Sequence, residues 1–281
     1  MSTYRFRIVN VFAETAYAGN PLAVFDDARG LDDAAMQQLA SQLNLSETTF
    51  VFPSETTSAR VRIFTPGYEL PFAGHPTLGT AATLNKLRNL GGKVTLDLQA
   101  GVIPVRVDGD RATLTANAPS YRDAATAEQL AQAIGVPAAA LVGTARFVDT
   151  GTEQLVIQLA SPEAVAAATP DLPLFNKYTS NRLGHASALV WAFGDNHEIA
   201  ARFFWVQHNQ IGEDFGTGSA CANLGGWLLD AGHPTPFNYT MVQGIGTGRL
   251  AHLALSVDAE RTIRVGGRVM EVGRGEFDLP A

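Results

Sequence analysis

Four residues stand where chemistry could be done: Glu47 in "LNLSETTF", His75 in "LPFAGHPTLGTAATL", and Asp214 and Ser219 in "EDFGTGSACANLGGWLL". A carboxylate lodged between apolar strands has its charged form disfavoured and its pKa raised, which would suit Glu47 to general acid/base work. The same residue also reads as a helper in a capping box, with Ser46 or Asn44 capping a turn. His75 is open to a plain role as a helix-start hydrogen bonder. Asp214 could simply be favourable charge near a helix N-terminus, and Ser219 an N-cap.

The two turns that carry these residues point to a ligand class. Each runs from a Gly-rich stretch straight into a helix of small residues, with Gly74-His75 in one and Gly218-Ser219 in the other. A helix N-terminus offers unpaired N–H groups and roughly half a positive charge. Glycine just before it lets a ligand approach the backbone. Pro76 fits a first helical turn, where its missing N–H costs nothing. Two such cradles facing each other in a cleft would grip a small acid such as a carboxylate. The helices themselves are nearly free of charge, as expected of helices buried inside a sheet or barrel.

The elements needed to position these turns recur along the chain. Strand "RFRIVNVF" and loop "GNPLAVF" lead to a helix expected over 31–43, with Asp32 and Asp33 in its first turn. Strands "ETTFVFP" and "ARVRIFTP" follow, then a helix over 76–87, then three strands in "KVTLDLQAGVIPVRVDGDRATLTA". The second part has a helix near 126–134, strands "RFVDTG" and "QLVIQLA", one short helix and "GHASALVWAF". Strand "IAARFFWVQ", a helix over 220–230 with Gly232 as its C′ residue, and strands "TPFNYTMVQ", "RLAHLALSV", "TIRVGGRVMEV" and "GEFDL" close it. Arg62–Phe64 and Arg202–Phe204 occupy matching strands, and the turns are offset by 218 − 74 = 144 residues, about half of 281. Many short strands with few helices predict an antiparallel α+β protein of two similar halves.

Composition excludes several classes. Of 281 residues 46% are hydrophobic and 17% charged, enough for a core and against disorder. The net charge of −7, with no Lys/Arg-rich run, disfavours nucleic acid and anionic membranes. No run of apolar residues is long enough to span a bilayer, and the N-terminus lacks the apolar stretch of a signal peptide. Cys221 stands alone, which fits a reducing cytoplasm. Histidines 75, 185, 197, 208, 233 and 252 include no i, i+4 pair for zinc. "QGIGTGRL" precedes an alternating strand, so a hairpin is expected there and not a dinucleotide loop.

"GNPLAVF", "LNLSETTFV", "RIFTPGYELPFAGHPTLGTA" and "GEDFGTGSACA", in that order, resemble the PhzF-like phenazine-biosynthesis family, over nearly the whole chain. The resemblance implies the diaminopimelate epimerase fold: two pseudo-symmetric halves, each a curved, mainly antiparallel sheet around a central helix, with the active site between them. The halves are expected at 1–118, joined by the strand at about 268–281, and at 119–267. It implies a proton-shifting isomerase of a small cyclic or unsaturated carboxylic acid, without metal or organic cofactor, and a homodimer. The family's general acid/base falls on Glu47, and its partners on His75, Asp214 and Ser219. Backbone groups at Gly74-His75 and Gly218-Ser219 would hold the carboxylate. The related epimerase uses a cysteine beside each turn glycine. Here those positions are Ala73 and Thr217, and Cys221 inside the helix reads as a small buried residue. That disfavours an amino- or hydroxy-acid epimerase and leaves a non-catalytic small-acid binder as the reading from another class. The family's usual Pro after Asp and in the "RxFxP" strand are replaced by Phe215 and Val206, which could reshape the substrate pocket.

Overall fold

A computed structural model describes residues 2–207 and 209–279, so His208 and the last two residues of the expected C-terminal strand lie outside it. The chain divides into two units, one running to Leu114 and taken up again from Gly266, the other Thr115–Val265.

The first unit is built on β1 (Ser2–Val11), β2 (Asn20–Phe25), α1 (Asp33–Leu43), β3 (Glu47–Phe52), β4 (Ala59–Phe64), β5 (Glu69–Leu70), α2 (Gly74–Arg88), β6 (Lys93–Leu98), β7 (Gly101–Asp108) and β8 (Arg111–Thr115). Strands β1 and β2 are antiparallel, β2 and β3 parallel, β3 and β4 antiparallel, β4 and β6 parallel, β6 and β7 antiparallel. Strand β7 pairs with β8, and the last strand, β17 (Ile263–Leu279), pairs with both β8 and β1 and closes the ring. Eight strands thus enclose α2, whose residues from His75 to Ala81 are all buried. Closure removes the sheet edges, and a helix inside such a ring must be apolar or small on every side.

The second unit repeats the order. It contains β9 (Ser120–Asp123), α3 (Ala127–Ile134), β10 (Arg146–Asp149), β11 (Glu153–Gln158), α4 (Pro162–Ala167), α5 (Leu172–Thr179), β12 (Ser187–Phe193), β13 (Glu198–Gln207), β14 (Gln210–Asp214), α6 (Gly218–Asp230), β15 (Phe237–Gln243) and β16 (Ala251–Val257). From β10 to β16 the pairings run antiparallel, parallel, antiparallel, parallel, antiparallel, as they do from β1 to β7. The architecture is α+β, two similar mainly antiparallel sheets with a central helix each. The parallel pairs are joined by helical crossovers, which the strand count alone did not suggest.

Several local expectations are corrected. Helices α2 and α6 each begin two residues early, because the turn glycines themselves take helical geometry; Pro76 is then third in the helix and still within its first turn. The single short helix of the second half is two, α4 and α5, each with a proline in its first turn and capped by Ser161 or Asp171. "TIRVGGRVMEV" and "GEFDL" form one strand, since the pairing of β17 with β1 runs on through Ile8↔Gly273 and Phe6↔Gly275. Gly232 follows α6 with φ +75°, and the His233 N–H reaches back to the Leu228 carbonyl, so the C′ expectation holds. No helix among the described residues is long and apolar enough to cross a membrane.

Small residues set the distance between helix and sheet. A Cβ on Gly79 would lie 2.6 Å from Leu22 Cδ2 and 2.9 Å from Val11 Cγ2, and one on Gly226 2.9 Å from Val148 Cγ1. Gly79→Ala should therefore destabilise by about 1–3 kcal/mol despite its better helix propensity, read as a lower midpoint in urea unfolding.

Candidate active site

Glu47 opens β3 at the level of Leu22, its parallel partner on β2. Asn44 is the left-handed C-cap of α1 and no helix follows it, so the capping-box reading of Glu47 fails. Strand alternation puts Glu47 on the same face as Thr49, whose hydroxyl meets that of Thr80 of α2 at 2.8 Å. Glu47 therefore looks toward α2, where His75 is the second residue. Its carboxylate Oε2 lies 3.3 Å from His75 Nε2, with side-chain exposures of 17% and 6%, so both groups are largely shielded from water.

The imidazole is held from its other side by a hydrogen bond to the backbone of Pro21. Proline has no N–H, so the ring must donate and the Pro21 carbonyl accept. Nε2 has no hydrogen-bond partner among the described groups, which leaves Nδ1 as the donor. In the neutral ring Nε2 then carries a lone pair, close to Glu47. Burial pushes the His75 imidazole down to about 3, against a smaller upward pull from the Pro21 bond. At 3.3 Å the Nε2 and Oε2 atoms are close but not aligned as a hydrogen bond. Catalytic pairs are often loose before substrate binds.

In the second unit the turn before α6 is tied by Gln243. Its Oε1 accepts from the Thr217 N–H at 3.1 Å, and its Nε2 donates to the Asp214 carbonyl and to Thr217 Oγ1, both at 3.0 Å. The Thr217 hydroxyl, having accepted, donates to Asp214 Oδ2 at 2.6 Å. Asp214 is thus held as an acceptor. Ser219 is the second residue of α6 and not its N-cap, which is Thr217. Ser219 Oγ accepts from Gln154 Nε2 at 3.0 Å.

Each turn is also braced one step earlier. Arg62 grips Glu69 through Nε and Nη2 at 2.7 and 2.6 Å, and Arg202 grips Glu213 at 3.0 and 2.7 Å. In both units the Glu pairs across a hairpin with the Phe of the Arg-x-Phe strand. Both Glu residues stand five positions before the turn glycine. Helices α1, α3, α4 and α5 are capped by Asp32, Thr126, Ser161 and Asp171. Helices α2 and α6 have no side-chain cap. Their first-turn N–H groups at Gly74-His75 and Gly218-Ser219 therefore receive no side-chain cap.

Other sequence expectations find their places. Cys221 is fully buried and burial pushes its thiol well up, as a packing residue. Val206 packs on the hydrophobic core of the second unit and Phe215 lies under the Arg249 guanidinium, 5.5 Å from its ring centre. Among the described residues no group of three His, Cys, Asp or Glu side chains is placed to hold a metal ion. Sequence reasoning assigned no role to Pro21, Gln154, Asn223 or Gln243. Asn223 carried a signal, as a lone polar side chain one turn after Ser219 in an otherwise apolar helix.

A family model described as phenazine biosynthesis-like protein, PhzC-PhzF, matches residues 9–275. The chain belongs to that family. An uncharacterized isomerase of Pasteurella multocida is 40% identical over 100% of this chain and 96% of its own. The trans-2,3-dihydro-3-hydroxyanthranilate isomerase of Pseudomonas fluorescens is 30% identical over 98% and 100%. A PhzF-family protein of Bacillus anthracis superposes with a TM-score of 0.86 at 24% identity, covering 99% and 100%. A hydroxyproline epimerase of Agrobacterium vitis shares the fold at a TM-score of 0.60 and 11% identity, covering 98% and 92%. With full-length relatives in the family named as isomerases, the chain is an isomerase.

The held-neutral imidazole has a thermodynamic signature. Unfolding frees His75 to take up a proton below its ordinary value of 6.5, while the folded ring resists down to about 3. Its contribution is present above 6.5 and is lost as pH falls toward 3, at up to about 1.4 kcal/mol per pH unit. His75→Gln should flatten the fall in unfolding free energy across that window, measured by urea titration at successive pH values.

Proposed function

We propose that the chain moves a proton within a small cyclic or unsaturated carboxylic acid of the trans-2,3-dihydro-3-hydroxyanthranilate type, with Glu47 as the general acid/base. The observation that carries this is the buried contact of Glu47 Oε2 with His75 Nε2 at 3.3 Å. A neutral imidazole whose Nδ1–H is engaged offers only a lone pair on that axis. It can therefore accept the proton of a protonated Glu47 in a hydrogen bond, and it offers no donor to the ionised carboxylate. Glu47 removes a proton from one carbon and returns it to another on the same face. Asp214 orients the substrate as an acceptor. Ser219 and the uncapped N–H groups of Gly74-His75 and Gly218-Ser219 bind the carboxylate. A homodimer, from the family resemblance, and a cytoplasmic setting, from the lone Cys221, belong to the same reading.

Two-base epimerisation has less support. It needs a proton-exchanging group beside each turn glycine. Ala73 has none, and the Thr217 hydroxyl is committed to Asp214 at 2.6 Å.

Incubation with trans-2,3-dihydro-3-hydroxyanthranilate in deuterated water, followed by NMR, tests the proposal. The wild type should rearrange the ring and place deuterium at one carbon. Glu47→Gln should lower kcat by about 10²- to 10⁴-fold with little change in KM. Exchange that persists in Glu47→Gln at the wild-type rate would remove Glu47 from the role.

A further inference from the structure

The hydrogen bonds behind Ser219 have a direction that can be traced. Asn223, fully buried, accepts at Oδ1 from the Thr150 backbone N–H at 2.9 Å and the Thr150 hydroxyl at 2.7 Å. Its Nδ2 donates to the Thr152 carbonyl at 2.9 Å. A backbone N–H can only donate and a backbone carbonyl can only accept, so the Asn223 amide has one allowed orientation. Nδ2 also donates to Gln154 Oε1 at 2.9 Å, which fixes the Gln154 amide in turn. Gln154 must then present Nε2 to Ser219 Oγ, at 3.0 Å. Ser219 Oγ is an acceptor there, and its own proton has no acceptor among the described residues. The contrast with Thr77 and Thr83 of α2 is direct, since each spends its hydroxyl proton on a carbonyl of its own helix.

The first unit uses the same slot with opposite polarity. Pro21 is the second residue of β2 and Gln154 the second of β11, the equivalent strand. His75 and Ser219 are equivalent too, each following its turn glycine. Pro21 supplies a carbonyl, so His75 keeps a lone pair to show. Gln154 supplies an N–H, so Ser219 keeps a proton to show. We infer that Gln154 is a positioning residue that makes Ser219 an obligate hydrogen-bond donor, selecting a carboxylate over a carboxamide at the start of α6. This inference rests on the reading of that turn as a carboxylate site.

Two arms test it. In the ligand-free protein, Ser219→Ala should shift the side-chain NH₂ signal of Gln154 in a ¹⁵N–¹H spectrum; an unmoved signal overturns the bond and the inference with it. In the second arm, binding of anthranilate and anthranilamide is measured by calorimetry at a pH where an introduced carboxyl is ionised. In Gln154→Glu, Asn223 still has its acceptor while the Ser219 proton is drawn inward to the new carboxylate. The preference for anthranilate over anthranilamide should fall by about 10- to 100-fold relative to wild type. Gln154→Met, which leaves the hydroxyl free to rotate, should give a smaller loss. An unchanged preference in Gln154→Glu, with wild type favouring anthranilate, overturns the role of Gln154. A wild type that shows no preference for anthranilate, with the NH₂ signal still moving, overturns the carboxylate reading of the turn instead.

Discussion

The bond from the His75 ring to the Pro21 carbonyl constrains the chemistry of the first unit. Because the partner is a carbonyl with no N–H beside it, the ring has to donate through Nδ1. Because the ring is buried, its charged form is disfavoured. Together these leave a neutral imidazole with its Nε2 lone pair 3.3 Å from the Glu47 carboxylate. A protonated carboxyl at that position finds an acceptor in the ring, and an ionised one finds no donor there.

That geometry depends on where helices α2 and α6 begin. Each starts within its sheet without a side-chain cap, whereas α1, α3, α4 and α5 are capped by Asp, Thr or Ser. An uncapped start costs stability, commonly about 1 kcal/mol. The turns are held shut by other means: Arg62–Glu69 and Arg202–Glu213 brace the hairpins before them, and Gln243 ties Asp214 to Thr217. Arg202 and Glu213 stand 11 positions apart and Arg62 and Glu69 only 7, yet the Glu-to-glycine spacing is the same. The brace thus belongs to the turn and not to the loop. The two units differ at one equivalent strand position, where the first has a backbone carbonyl at Pro21 and the second a side-chain amide at Gln154.

Much of this was legible in the residues. The 144-residue repeat, the apolar helices and the turn glycines pointed to two similar halves with buried helices, and the resemblance supplied the sheet around each helix and the expectation for Glu47, His75, Asp214 and Ser219. What periodicity could not give was the parallel pairing of β2 with β3 and of β4 with β6, since alternation within a strand says nothing about its neighbours. It also put the starts of α2 and α6 two residues late, because glycine is a turn signal even where it is helical. The prolines 162, 170 and 173 mark the separation of α4 from α5, but a proline in a first turn and one between helices look alike in a sequence. The roles of Pro21, Gln154 and Gln243 were out of reach for a plainer reason. Each acts through a hydrogen bond to a residue 26 or more positions away, and no spacing rule encodes such a bond.

The central claim is the protonation state of one ring, and ¹⁵N chemical shifts of His75 in labelled protein measure it directly. A neutral imidazole with its proton on Nδ1, unchanged from about pH 8 to about pH 5, is the result this account predicts. A proton resident on Nε2, or an imidazolium forming near the ordinary histidine pKa, would contradict it.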